Sequence, residues 1–192
     1  FHIPVSKAAT TGAKPLTKMP EGTEINAWLS IDTNGLVTIR VPHTEMGQGG
    51  MTSVAMLIAE ELDVEWSKIQ TVFADANRHV RNKNEYIVMS THGSQLVRLQ
   101  HPHLMQAGAS ARERLKEAAA KAWGVERSAV EAKQGVLKSG NHTGTYAEVA
   151  ARMKAEQNAV KVGVHRLRKR FREQLRLEVL KTVSSPEEVD AE

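Results

Sequence analysis

Alternating apolar and polar positions mark the first interpretable part of the chain. The runs NAWLSID (26–32) and LVTIRVP (36–42) alternate with a period of two, and Thr33-Asn34-Gly35 separates them. Asparagine and glycine tolerate positive φ, so the pattern predicts a β-hairpin closed by an Asn-Gly turn. A third run, IQTVFAD (69–75), predicts a further strand.

Two later stretches follow a helical period instead. Over residues 51–63 the apolar positions are Met51, Val54, Ala55, Ile58 and Leu62, with Glu60 and Glu61 on the other side. This spacing predicts an amphipathic helix. A second helix is predicted from Pro102 to Trp123, ended by Gly124. Its apolar face comprises Leu104, Ala107, Ala111, Leu115, Ala118 and Ala122. Because most of these side chains are small, we expect close packing against a sheet or another helix.

The rest of the main segment adds shorter features. Residues 77–94 look polar and irregular and end in MSTHGS, while GVLKSG (135–140) predicts a short strand. Thr145, with Glu148 three residues on, predicts a capping box for a helix over 146–156. The mixed order indicates an α/β domain, α+β in character, over residues 24–156. We expect the hairpin and further strands to pack with two or three helices.

Both ends of the chain differ from this domain. Residues 1–23 read as an extended leader or linker, and the first residue is Phe1 rather than methionine. Residues 157–192 predict a basic amphipathic helix followed by the acidic tail SSPEEVDAE. The apolar stripe of that helix consists of Val160, Val164, Leu167, Phe171 and Leu175.

Composition excludes several classes of protein. The chain has 192 residues, 41% of them apolar, enough for a core. Without cysteine it carries no disulfide, thiolate zinc site or cysteine-ligated iron–sulfur cluster. Its apolar runs are too short to span a membrane. Four histidines (His79, His92, His101 and His103) lack a nearby carboxylate pattern, so we predict no metal ligands.

A glycine-rich turn carries the main chemical signal. Gly47, Gly49 and Gly50 stand between a predicted strand and a helix start, where backbone N–H groups can face a phosphate. Gln48 adds an amide at close range. The spacing matches neither a P-loop nor the dinucleotide glycine pattern. An anion or cofactor site and a tight structural turn therefore both remain open.

The net charge of +4 is concentrated in the C-terminal helix. Between Lys161 and Arg176 there are seven Lys or Arg residues against the single acid Glu173. Such a helix could neutralise nucleic-acid phosphates, contact an acidic membrane, or simply be solvated. The residues predicted to contact nucleic acid are Arg166, Arg168, Lys169, Arg170 and Arg172.

In order along the chain, the segments NAWLSIDTNGLVTIRVPHTEMGQGGMTSVAMLIAEELDVEWSKIQTVFA, MSTHGS and QAGASARERLKEAAAKAWGV resemble a known family. They are similar to the N-terminal part of the molybdopterin-binding large subunit of isoquinoline oxidoreductase-like and aldehyde dehydrogenase-like enzymes, within the xanthine oxidase family. The resemblance covers about residues 26–156. It implies an enzyme that hydroxylates an aldehyde or an N-heterocycle at molybdenum.

The resemblance also implies which residues contact the cofactor, molybdopterin in its cytosine dinucleotide form. The EMGQG turn carries over as Gly47, Gln48 and Gly49, with Gly50 as a looser match. A second turn, commonly Ser-Thr-Gly-Gly-Ser, maps onto residues 90–94 and supplies Thr91, Gly93 and Ser94. His92 replaces a glycine there, and we expect its imidazole to obstruct close backbone approach.

The same resemblance implies partners and a missing part. Relatives are several times longer, and their catalytic glutamate lies near the C-terminus. We therefore predict no catalytic residue here and a truncated domain that is inactive alone. An iron–sulfur subunit and a cytochrome c subunit are the implied partners. The implied location is periplasmic, or cytoplasmic if the chain has no export signal.

The C-terminal segment resembles something else. Residues 158–192 are similar to the end of an extracytoplasmic-function sigma factor, beginning within its recognition helix. The helix that would orient this element on DNA is not recognisable, so we expect only weak, salt-sensitive DNA binding. The two resemblances meet near Gln157 and suggest a chimera: a gene fusion, a frameshift or a designed sequence. A nucleic-acid-binding or regulatory role is therefore the alternative function.

Overall fold

The first sheet has four strands in the order β1-β2-β3-β4. The structure is a computed structural model that describes residues 22–180. Strands β1, β2 and β3 pair antiparallel, whereas β3 and β4 pair parallel and are therefore joined by a crossover connection. Their bounds are Thr23–Asn26, Leu29–Ile31, Val37–Val41 and Ile69–Phe73. The predicted strand over 69–75 is thus confirmed.

The predicted hairpin is confirmed as β2 and β3, with Leu29 opposite Ile39. In its loop Gly35 takes φ 82°, and the Asp32 carboxylate accepts the backbone N–H groups of Asn34 and Leu36, both at 2.8 Å. The side chain of Asp32 therefore closes a loop longer than the expected two-residue turn.

One detail of the strand prediction is wrong. The run 26–32 is interrupted, because the side-chain oxygen of Asn26 accepts the N–H groups of Trp28 at 2.9 Å and Leu29 at 3.1 Å. The chain turns at this point, and β1 folds back to pair with β2. Asparagine favours such local side-chain-to-backbone bonds, which compete with an uninterrupted strand.

Helix α1 spans Gly50–Leu62 and confirms the prediction to within a residue. Helix α3 spans Gln95–Trp123, so its start was predicted too late. Pro102 lies inside α3, where it removes one N–H. The buried residues Leu96 and Gln100 hold the turns before it in place.

The segment 77–94 is less irregular than predicted. A short helix, α2, spans Ala76–Arg81, and the Asp75 carboxylate caps it by accepting the N–H of Asn77 at 2.9 Å. At the end of α3 the buried face differs from the predicted one, since Ala118 is half-buried and Ala122 is exposed. Ala119 and Ala120 are buried instead.

The α1–α3 contact is as close as the small residues predict. A Cβ at Gly108 of α3 would overlap the carbonyl oxygen of Ile58 and lie 2.8 Å from the Cβ of Glu61. The two helices and the first sheet enclose one core. Its fully buried members include Leu29, Ile39, Ile58, Leu62, Leu104 and Leu115.

A second, three-stranded antiparallel sheet follows α3. Its strands are β5 Glu131–Lys133, β6 Val136–Ser139 and β7 His142–Thr145. The strand predicted over 135–140 is β6, whereas β5 and β7 were missed. The capping box is confirmed: Thr145 Oγ1 accepts the N–H of Glu148 at 3.2 Å, and Glu148 accepts the N–H of Thr145 at 2.8 Å.

Helix α4 spans Tyr146–Leu180 as one helix, where the sequence predicted two. The boundary between the two compact units of the chain falls between Met153 and Lys154, inside this helix. The predicted acidic tail, and the predicted leader up to residue 21, lie outside the described residues. No helix among residues 22–180 is both long and apolar enough to cross a bilayer.

Candidate functional site

The first turn, residues 44–50, joins the carboxyl end of β3 to the N-terminus of α1. Gly47 and Gly49 adopt φ values of 92° and 77°. No heavy atom lies within 4 Å of the Cβ that either residue would carry. Glycine is therefore favoured at both positions by backbone conformation and not by lack of space.

Glu45 fills the inside of this turn. Its carboxylate accepts the backbone N–H groups of Gly47 at 2.8 Å, Gly49 at 3.1 Å and Met51 at 2.9 Å. The hydrogen bond from Met51, supported by those from the glycines, lowers the pKa of Glu45. The amides expected to face a phosphate are therefore engaged by the chain's own carboxylate. An acid two residues before a Gly-x-Gly helix start is the sequence signal that could have identified it.

Gln48 is exposed, yet its side-chain amide is fixed. The oxygen accepts the N–H of Met46 at 2.6 Å, and the nitrogen donates to the carbonyl of Thr44 at 2.8 Å. A primary amide has two N–H groups and two acceptor lone pairs, so one of each remains for a ligand. Gln48 is thus the polar group that the turn presents outward.

Gly50 requires glycine for a different reason. A Cβ there would lie 2.8 Å from Cδ2 of Leu96 and 2.9 Å from the side-chain nitrogen of Gln48. Gly50 is buried, and it packs the start of α1 against the start of α3. The absence of a side chain at Gly50 leaves room for the side-chain amide of Gln48.

The second turn, residues 90–94, lies beside the first. Thr91 Oγ1 accepts the N–H of Thr44 at 2.9 Å, so the structure joins the two turns that the sequence singled out. Gly93 and Ser94 both have φ 54°, just before α3 begins. His92 is exposed and is not among the positive-φ residues, so the backbone tolerates its imidazole without strain.

His43 lies behind the first turn and was not singled out by the sequence. It is 2% exposed, and neither ring nitrogen has a hydrogen-bond partner. Burial lowers the pKa of His43, which favours the neutral imidazole at pH 7.

A cluster of charges ties α2 to the first sheet. Arg78 donates to Glu24 at 2.7 Å and to Glu85 at 2.6 Å, and Arg40 reaches Glu24 at 3.3 Å. The hydrogen bonds from Arg78 lower the pKa of both carboxyls. Each acid has a cationic partner, so this cluster is a structural connection.

Within residues 22–180, no three His, Asp or Glu side chains are grouped to hold a metal ion. Nδ1 of His79 accepts the N–H of Tyr86 at 3.2 Å, while His101 and His103 are exposed. On α4 the predicted nucleic-acid residues are all exposed: Arg166, Arg168, Lys169, Arg170 and Arg172.

These features define an α/β domain with an exposed, hydrogen-bonded side-chain amide at two joined turns, each at the start of a helix. The profile of the molybdopterin cofactor-binding domain matches residues 3–178, and the chain belongs to that family. The matched range includes most of α4, the helix for which the sequence suggested a different origin.

Named relatives agree with this assignment. The beta chain of isoquinoline 1-oxidoreductase from Brevundimonas diminuta is 30% identical over 136 residues, 69% of this chain and 17% of the relative. A membrane-bound aldehyde dehydrogenase of Gluconacetobacter polyoxogenes is 26% identical, in an alignment that covers 67% of this chain and 16% of the relative. A nicotinate dehydrogenase chain from Pseudomonas putida is 28% identical, in an alignment that covers 71% of this chain and 11% of the relative. The chain thus spans less than a fifth of each relative.

Among solved structures, quinoline 2-oxidoreductase from Pseudomonas putida 86 aligns with a TM-score of 0.49 and 22% identity. That alignment covers 64% of this chain and 15% of the other. A CO dehydrogenase from Oligotropha carboxidovorans aligns with a TM-score of 0.45 and 23% identity, covering 63% and 15%.

Proposed function

We propose that this chain forms one wall of a molybdopterin site in an oxidoreductase that hydroxylates an aldehyde or an N-heterocycle. The observation that carries the proposal is Gln48, an exposed amide held by two hydrogen bonds in the turn that the family resemblance assigns to the cofactor. The names of the relatives, which include isoquinoline, aldehyde and nicotinate enzymes, support this substrate class.

The residues present fit a contact with such a cofactor. No heavy atom lies within 4 Å of a Cβ at Gly47 or Gly49, so a ligand can approach the adjacent Gln48, which retains one N–H and one lone pair. Thr91, Gly93 and Ser94 stand next to this surface through the Thr44–Thr91 hydrogen bond. The bound cofactor supplies the redox chemistry. Gln48 and the second turn would contact the cofactor and orient it.

The remaining assignments rest on family resemblance. We propose the cytosine dinucleotide form of the cofactor, an iron–sulfur subunit and a cytochrome c subunit as partners, and a periplasmic location. Because the relatives' catalytic glutamate has no counterpart among the residues assigned here, we expect no turnover by this chain alone.

The test is cofactor recovery. The 192-residue chain would be purified from cells that make molybdopterin, and bound molybdenum and pterin fluorescence would be measured. We expect Gln48→Ala to reduce recovery and Gln106→Ala, an exposed glutamine on α3, to leave it unchanged. Equal recovery in both variants would refute the role of Gln48. Aldehyde oxidation by the isolated chain with a dye acceptor would refute the expected inactivity.

A second candidate function rests on α4. Five of its exposed basic residues, 166, 168–170 and 172, suit phosphate neutralisation, and within the described residues only Lys169 among these five forms an ion pair, with Glu173 at 4.0 Å. Fluorescence anisotropy with duplex DNA across a salt series tests this role. We expect weak binding that falls with salt and disappears on deletion of 158–192. Binding that survives the deletion would exclude α4 as its cause.

A further inference from the structure

The first turn contains an anion of its own. Both carboxylate oxygens of Glu45 are used: one accepts from Gly47 and Gly49, and the other accepts from Met51. These are the N–H groups that a bound phosphate would otherwise need at the start of α1. The N–H groups of the two glycines, both of which have positive φ, point inward toward this carboxylate.

Gln48 is connected to the same turn from the outside. Its amide bonds Thr44 and Met46, the residues immediately before and after Glu45 in the chain. Gln48 itself lies between the two glycines that donate to Glu45. The Glu45 carboxylate therefore holds the backbone on both sides of Gln48, at Gly47 and Gly49. Glu45 itself stands between Thr44 and Met46, the two residues to which the Gln48 amide is hydrogen-bonded.

We propose that Glu45 is the positioning residue for Gln48: it neutralises the turn's amides, so that a ligand meets the side chain of Gln48 and not the backbone. The claim that the ligand is the cofactor rests on the proposed function. The claim that Glu45 holds the turn and Gln48 in place does not, because it concerns contacts within the chain.

This arrangement has a defined pH dependence. The pKa of Glu45 lies below its ordinary value of 4.5 in the folded chain. The three hydrogen bonds are therefore complete above pH 4.5 and are lost as the pH falls through the lowered pKa. A role limited to filling space would not depend on pH in this range.

The test is amide hydrogen exchange of the full 192-residue chain, followed by NMR at Gly47, Gly49 and Met51. At pH 6 we expect Glu45→Ala to reduce the protection of these amides about tenfold, a partial opening of the turn. Glu60→Ala, which removes an exposed carboxylate from the adjacent helix α1, should leave them unchanged. Unchanged protection in Glu45→Ala would overturn the proposal.

A milder variant separates charge from shape. Glu45→Gln keeps one neutral acceptor of the same length, so we expect intermediate protection that no longer varies between pH 3 and 6. In the unaltered chain, protection should fall as the pH is lowered through the depressed pKa of Glu45. Retention of the pH profile in Glu45→Gln would assign the titration to another group and overturn the proposal.

Two further measurements connect Glu45 to Gln48. In Glu45→Ala the two side-chain N–H signals of Gln48 should move toward those of a free glutamine. Inorganic phosphate added to the unaltered chain should leave the Gly47 and Gly49 signals in place, and their movement would overturn the proposal. Failure of the proposed function is seen separately, because Gln48→Ala would then not affect molybdopterin recovery whatever the exchange data show.

Discussion

Gly108 in α3 lies against the carbonyl oxygen of Ile58 in α1, with no space for a methyl group between them. We expect Gly108→Ala to push the helices apart and to lower the free energy of unfolding by about 2 kcal/mol. Urea unfolding followed by circular dichroism measures this change.

Gly163→Ala is the matched control for that substitution. Gly163 lies in α4 with nothing within 4 Å of the Cβ it would carry. Alanine is the better helix former, so we expect a gain of roughly 0.5 kcal/mol. Equal effects of the two substitutions would contradict the assigned contact.

Arg78→Met should weaken the link between α2 and the first sheet. The cluster is partly exposed, with side-chain exposures of 21% for Arg78 and 45% for Glu24, so we expect a loss of only about 1 kcal/mol at pH 7. Because Arg78 lowers the pKa of Glu24 and Glu85, its contribution is present above pH 4.5 and is lost as the pH falls through the lowered values.

Urea unfolding at pH 7 and pH 3 checks the sign of this dependence. The difference in stability between the two pH values should be smaller in Arg78→Met than in the unaltered chain. Lys169→Met, which breaks an exposed pair with Glu173, should change neither value. An unchanged pH dependence in Arg78→Met would show that the cluster contributes nothing.

Tyr146→Phe should leave the end of α1 short of a hydrogen bond. The buried hydroxyl of Tyr146 donates to the carbonyl of Leu62 at 2.8 Å. Its loss leaves that carbonyl unpaired, and we expect a cost of about 1.5 kcal/mol by thermal unfolding. In Tyr86→Phe the lost bond, to Ala27, is longer at 3.3 Å, so a larger effect there would contradict the argument.

Gly50→Ala should disturb the candidate site more than the fold. The added Cβ would contact Cδ2 of Leu96 and the side-chain nitrogen of Gln48, and both are ends of flexible side chains. We expect the Gln48 amide to shift, visible in its side-chain NMR signals, with reduced molybdopterin recovery. Thr52→Ala, an exposed change in the same turn of α1, is the control and should alter neither measurement.

The sequence predicted what depends on local pattern. The hairpin follows from alternation and Asp32–Gly35, and α1 follows from Val54, Ile58 and Leu62, because a regular apolar period survives in the fold. It missed features that depend on distant partners. The apolar pattern predicts the start of α3 at Pro102, whereas α3 begins at Gln95 and Gln100 holds the earlier turns by donating to the carbonyl of Val88 at 2.7 Å.

The same contrast between local pattern and distant partners applies to the candidate site. The glycines and Gln48 form a recognisable string, and family resemblance assigned them to a cofactor. Glu45 was missed although an acid two residues before Gly-x-Gly is a local signal, because its hydrogen bonds from Gly47 and Gly49 form only in the folded turn. The Thr44–Thr91 bond joins residues 47 positions apart, and no local pattern indicates it.

That bond has a consequence for motion. Thr44 and Thr91 belong to the two turns that precede α1 and α3. Since one hydrogen bond joins them, opening of either turn removes a restraint from the other, and a ligand that orders one reduces the entropy lost in ordering the second. We therefore expect the two turns to open together, so that Thr91→Val, which removes the acceptor, raises the amide exchange rates of the first turn as well as those of the second.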